Sequence, residues 1–288
     1  MTRIALCYSG RPRNFSECFE NHQKFFGLGN DNVDVFAHLW FDEDLVGKPF
    51  RLDAPQQGCW PGKNLMRWID INWKPKKIVY EKQKDHVFRE MYSDVWNISH
   101  EKLNPTPRMH PKDHQLSMFY GIKKVMELKQ EYERENNFKY DYVIRLRTDF
   151  LMVSNFGNIE NYDNTKLHVS SYDSTDLINQ YKPGTWIQDL GIDKRYIVDI
   201  FAIGGSEVMD KFAKVYDNIP VMIESGYPMH SSDVLIGYNV FIIEKIPVRR
   251  HSSWAYKIYP NTEVYYDGNH QHINSGIVNW NNKVWFDY

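Results

Sequence analysis

Hydrophobic positions along the chain fall into short dense runs, with one long amphipathic stripe between them. The run from Arg3 to Tyr8 has the continuous apolar character of a strand buried on both faces, and it empties into "SGRPRN". Phe15 to Phe26 predicts a helix capped by Asn14 or Ser16 and ending near Gly27 and Gly29. Residues 33–41 and 76–82 predict two more strands, separated by a long irregular excursion at 42–75 that Pro49, Pro55, Pro61 and Pro75 punctuate. After a proline-rich hinge, the spacing of Leu116, Phe119, Ile122, Val125 or Met126, and Tyr132 predicts a helix over 114–136. A fourth strand follows in "YDYVIRLRTDFLM", residues 140–152, and further strands at 167–172 and 196–205. Residues 206–219 predict a helix capped by Ser206, 231–241 another, and 245–252 a last strand; the tail takes no assignment. Strands alternating with helices predict an α/β fold, a mainly parallel central sheet flanked by helices, in a single domain over 1–288.

Composition narrows this only a little. Hydrophobic residues at 42% and charged residues at 25% are those of a soluble globular chain. A net charge of −2 gives no global electrostatic case for nucleic acid as a partner. Cys7, Cys18 and Cys59 match no zinc or redox spacing, which points to a reduced, cytoplasmic setting. No apolar run reaches the length of a transmembrane segment. Aromatics are abundant at 15%, so Trp60, Trp186 and Trp254 are candidate platforms for sugars, although tryptophans of a Tyr-rich core read the same way.

The fourth strand poses the chemical question. An otherwise apolar run carries Arg145, Arg147 and Asp149, and burying such groups without partners costs several kcal/mol each. Their partners must be each other, a phosphate or a metal ion. Strand alternation places these three on one face and Ile144, Leu146 and Thr148 on the other. At the end of the first strand, Ser9 and Gly10 form a turn whose backbone N–H groups suit phosphate, with Arg11 and Arg13 beside it. Open α/β sheets bind ligands beyond the carboxyl ends of their strands. The turn is neither the dinucleotide fingerprint nor the P-loop. The plain alternatives are solvated loop arginines and an internal Arg–Asp ion pair.

With its "RLRTDF" strand end and the later "VDIFAIGGSEVMDKFAKVYDNI", the chain resembles nucleotide-sugar glycosyltransferases of the GT-A type. It is nearest to the WavE-like lipopolysaccharide-synthesis family and its large-virus relatives. The resemblance implies a GT-A-like, Rossmann-type sheet, with a nucleotide-binding half at about 1–153 and an acceptor-side half at about 154–288. It implies sugar transfer from a nucleotide-sugar donor to a glycan or lipopolysaccharide-like acceptor. In such enzymes the corresponding strand ends in D-x-D and holds a divalent cation against the donor diphosphate. Here Arg147-Thr148-Asp149 keeps only the second acid. The implied roles are therefore Asp149 on Mn²⁺ or Mg²⁺ bound mainly by diphosphate, or Arg145 or Arg147 in the cation's stead.

Asp199 is the implied polar group of the donor-sugar and acceptor side, with Gly204 and Gly205 allowing close backbone approach. Asp233 stands where related transferases carry an acid that serves as base toward the acceptor hydroxyl. An acid there equally favours the first turn of a helix. Arg249, Arg250, Lys257, His251 and His270 are candidates to close over the diphosphate, while His270 and His272 lack a third ligand for zinc. Two other functions fit the same residues: a nucleotidyltransferase and a non-catalytic carbohydrate-binding protein.

Overall fold

The computed structural model describes residues 1–48, 60–62, 64–82, 112–170, 197–225, 232–251, 253–254, 256–258, 263–264 and 273–274. Four strands, β1 (Ile4–Gly10), β2 (Val33–Trp40), β3 (Lys77–Glu81) and β4 (Tyr142–Leu146), run parallel. β6 (Leu167–Ser170) and β8 (Val248–His251) also pair in parallel, and β7 (Phe201–Gly204) lies antiparallel between β4 and β6. The sheet order is β3-β2-β1-β4-β7-β6-β8, the mainly parallel sheet of the expected α/β class. Strands from both halves of the chain share it.

Alternation along the strands assigns the two faces. Ala5 and Cys7 of β1 pack beneath α3 (Lys112–Asn136), against the side that includes Phe119 and Ile122. Leu6 and Tyr8 belong to the opposite core, with Phe26 of α1 (Phe19–Phe26) and Ile69 of α2 (Asn64–Asn72). The helix joining β1 to β2 and the helix preceding β4 therefore cover opposite faces. β1 and β4 are neighbours, so the connections diverge between their carboxyl ends. Crevices that bind ligands in such sheets form at that divergence.

Several elements differ from the sequence-based expectation. β4 stops at Leu146; residues 147–149 turn, and β5 (Phe150–Met152) leaves the main sheet to pair with β9 (Tyr256–Ile258). Arg147 and Asp149 thus do not continue the face of Arg145 by strand alternation. The excursion at 42–75 contains α2, whose Leu65 and Ile69 are buried one helical turn apart. β7 is shorter than expected, and Asp199 precedes it. Gly205 rather than Ser206 caps α4 (Ser206–Phe212). The Ser206 hydroxyl instead joins the buried Lys129 and Glu133 of α3. Behind them, α5 (Ile219–Glu224) and α6 (Ser232–Tyr238) complete the α3 side of the core. Cys7 and Cys18 are buried. Among the described residues, no helix is long and apolar enough to cross a membrane.

Candidate functional site

The crevice at the ends of β1 and β4 gathers the residues singled out in the sequence. Gly10 ends β1 at φ 121°, a conformation that L side chains rarely adopt, with open space where a Cβ would stand. The loop that follows is tied across the crevice. Thr148 Oγ1 lies 2.9 Å from the Arg11 carbonyl and 3.1 Å from the Arg13 carbonyl, shared between the two. The Arg11 guanidinium rests over the Trp60 ring, 5.5 Å from its centroid. Trp60 itself is buried against Trp40, and so serves as a support for Arg11.

Arg145 is the central group. It is 1% exposed, on the α3 face of β4. Its Nη1 donates to the backbone carbonyl of Asp199, and Nη2 is 3.4 Å from Ser9 Oγ. Its Nε has no hydrogen-bond partner among the described residues, and none of the ion pairs among them includes it. Burial, reinforced by Arg147 and opposed by Asp199 and Asp149, brings its pKa down to about 10. The guanidinium remains charged at neutral pH, and it is a buried cation held by neutral groups.

Arg147 and Asp149 pair with each other: Nε to Oδ1 at 2.8 Å and Nη2 to Oδ2 at 2.7 Å. Burial pulls the Arg147 pKa down, but the charge and hydrogen bonds of Asp149 more than offset this and raise it. The turn is anchored from behind by α1. Asn21 Nδ2 donates to the Met152 carbonyl at 2.9 Å, and its Oδ1 accepts from the Met152 N–H at 2.9 Å. His22 Nε2 lies 2.7 Å from the Phe150 carbonyl, to which it donates, leaving Nδ1 to accept from the Tyr8 hydroxyl at 3.1 Å. Sequence reasoning missed this clamp. Its only signal is an adjacent Asn and His on a helix that is otherwise apolar toward the core.

Asp199 and Asp233 meet across the remaining side. The Asp199 N–H donates to Asp233 Oδ1 at 3.1 Å, and the Ser232 hydroxyl donates to Asp199 Oδ2 at 2.8 Å. Burial, and then the charge of Asp199, pushes the Asp233 carboxyl well above its ordinary value. Ser9, Gly10, Arg11, Arg13, Arg145, Arg147, Asp149, Asp199 and Asp233 thus converge at one end of the sheet.

Several other candidates among the described residues stand apart from this group. Gly204 pairs with Val143, toward the amino end of β4. A Cβ on Gly205 would come within 2.5 Å of the Asn164 carbonyl oxygen, so the close approach there is to the protein's own backbone. Trp254 is 2% exposed and stacks on His251 at 4.2 Å, a core position. Arg249 and Arg250 lie on β8, the edge strand farthest from β3. Lys257 is placed only by its backbone pairing with Leu151. Trp186, His270 and His272 fall outside the described residues.

The site defines a class: an α/β protein with a cluster of arginines and aspartates at the switch point of a mainly parallel sheet. No family profile and no curated protein matches the chain. Among solved structures it is similar to core-mannan synthase A (CmsA/Ktr4) from Aspergillus fumigatus in its Mn/GDP form. The identity is 12%, over 93% of this chain and 81% of that one, with a TM-score of 0.45.

Proposed function

We propose that the protein is a glycosyltransferase that binds the diphosphate of a nucleotide-sugar donor in the crevice between β1 and β4. The observation that carries this reading is Arg145: a buried guanidinium that hydrogen-bonds only neutral groups among the described residues, beside the Gly10 turn. An arginine so placed is costly unless an anion completes it, and a planar, fixed donor fork suits phosphate. As the bond from the anomeric carbon to the diphosphate oxygen breaks, negative charge grows on the leaving group. Arg145, fixed in advance by Ser9 and the Asp199 carbonyl, stabilises that charge without reorganising.

The acceptor hydroxyl must lose its proton as its oxygen bonds to the sugar. Asp233 suits this task, because a carboxylate whose pKa is raised is a stronger base than an ordinary one. The Asp199 N–H holds it in place, and the Ser232 hydroxyl in turn holds Asp199.

The residues present fit a divalent cation poorly. Both oxygens of Asp149 are engaged by Arg147, and no group of three or more His, Cys, Asp or Glu among the described residues could hold a metal. A Mn²⁺ or Mg²⁺ ion entering with the diphosphate would have to displace Arg147 to gain Asp149 as a ligand. In this reading the arginines are the main counter-charge.

The test is incubation with a panel of nucleotide sugars, with and without Mn²⁺, following nucleoside diphosphate release. Release that depends on Arg145 and rises with a glycan acceptor supports sugar transfer. Pyrophosphate release in place of nucleoside diphosphate points to a nucleotidyltransferase. Binding without turnover of any donor points to a carbohydrate-binding protein.

A further inference from the structure

A groove of about 370 Å³ opens between the edge strand β3 and α3, within the range of small-molecule sites, roughly 300–1,000 Å³. His38 and Glu81 line its sheet side; Lys124, Glu127, Glu131 and Arg134 line its helix side. His38 is fully buried, yet neither of its ring nitrogens makes a hydrogen bond among the described residues. Its Nε2 stands 3.7 Å from Glu81 Oε2, an electrostatic contact beyond hydrogen-bond reach. Burial, only partly offset by Glu81, pulls its pKa down to about 4. The ring is therefore neutral at pH 7, with one N–H to give and one bare nitrogen. Nδ1 lies beside Gly121, while Nε2, on the Glu81 side, offers a hydroxyl entering from the groove either an N–H or a lone pair.

The charges of the groove select among ligand classes. Lys124 Nζ is 2.7 Å from Glu127, and Lys77 reaches across to Glu131 at 3.0 Å. A bare cation would meet Lys124 and Arg134, and an anion would meet three carboxylates. Val79 and Leu128 add small apolar faces between the polar groups. Interleaved donors and acceptors around apolar patches suit a neutral, polyhydroxylated ligand.

We propose that this groove is a binding subsite for one neutral sugar residue, with His38 at its floor. It is separate from the arginine-lined crevice but shares a wall with it. His38 pairs in register with Ser9, and α3 passes both at Gly121. A Cβ on Gly121 would stand 3.4 Å from His38 Nδ1 and 3.6 Å from Ser9 Cβ.

The full chain, labelled in its histidine rings, is titrated by NMR with glucose, galactose, mannose and N-acetylglucosamine in turn. At least one should move the His38 ring resonances saturably, with an affinity about tenfold weaker in Glu81→Gln, which keeps the shape but removes the charged acceptor. Because Glu81 has contacts of its own within the protein, Glu127→Lys at the exposed rim provides a second variant and should weaken the same sugar. Arg145→Lys should leave sugar binding at His38 unchanged while weakening nucleoside diphosphate binding, which separates this subsite from the transferase reading. No saturable shift from any of the four sugars, or unchanged affinity in both groove variants, overturns the proposal.

Discussion

Arg147 and Asp149 hold each other edge to edge, Nε to Oδ1 at 2.8 Å and Nη2 to Oδ2 at 2.7 Å, across a single intervening residue. Asp149 is only 2% exposed, so the pair is a largely buried one in which each side chain depends on the other. Any ligand for either group competes with its partner.

Asp149→Asn is therefore expected to weaken the fold and spare anion binding. Removing one member of a buried pair strands the other and costs about 3 kcal/mol, readable by urea denaturation. The released Arg147 guanidinium remains available to phosphate. Calorimetry without divalent ions should show nucleoside diphosphate affinity no weaker than in the unmodified chain. A loss of affinity confined to Mn²⁺-containing buffer would instead give Asp149 a metal-bound role.

Arg145→Met should do the reverse. Methionine fills much of the same space without a charge, and holding an unpaired charge out of water costs several kcal/mol that the apolar side chain does not. Thermal unfolding should change little or rise. Nucleoside diphosphate binding should fall about ten- to a hundredfold, because a charge-assisted bond of about 1.5–3 kcal/mol is gone. Unchanged affinity would take Arg145 out of the site.

Much of this arrangement is legible in the sequence, and the limits have physical causes. Tyr142 to Leu146 announces its strand because both faces are buried, and "SGRPR" announces a loop because Gly10 and Pro12 stop the strand. The break after Leu146 is hidden. The polar–apolar alternation runs on through Phe150 and Met152, while the turn is held by Thr148 on the loop at Arg11 and Arg13, more than a hundred residues earlier. Asp199 and Asp233 each stand out as strand-end and helix-start acids, but their contact depends on sheet order, which no local spacing encodes. α2 escaped notice for a different reason. Its Leu65 and Ile69, with Trp73 just beyond its end, follow helical spacing, but the flanking prolines outweigh nine residues of periodicity.

Acid should unfold the protein through His22. Burial pulls its pKa from 6.5 to about 4 despite the Phe150 carbonyl and the charge of Asp149. The unfolded chain therefore binds a proton that the folded chain refuses. Stability is intact above pH 6.5 and falls as pH drops from there toward 4, by about 3 kcal/mol for this one group. His38 and His251, also pulled down to about 4, act in the same direction. His22→Gln is expected to be less stable at neutral pH, with its deficit shrinking through that window. A constant deficit across the window would show that His22 is not the group refusing the proton.

Asp233→Asn separates catalysis from stability by pH. The folded-state pKa is raised, so ionisation is disfavoured in the fold once pH exceeds the ordinary carboxylate value of 3.8. The amide keeps an acceptor for the Asp199 N–H and removes that penalty. The variant should melt higher than the parent at neutral pH and equally below pH 3.8. If Asp233 is the base, sugar transfer should fall about 10²- to 10⁴-fold while donor binding persists. Normal turnover would move the search for a base to Asp199.

The interleaving of β7 between β4 and β6 also has a consequence for how the molecule is made. Arg145 finds its carbonyl partner in Asp199, and Asp199 is held by Asp233. On a ribosome adding about 5–20 residues per second, the segment between Asp149 and Asp233 takes roughly 4–17 s to follow. Until then β4 is a bare sheet edge on the nascent chain, with a guanidinium beside it and a row of backbone groups open to any passing strand. A chain arrested before Asp199 carries that edge permanently. It is a prospective client for chaperones rather than half of a working site.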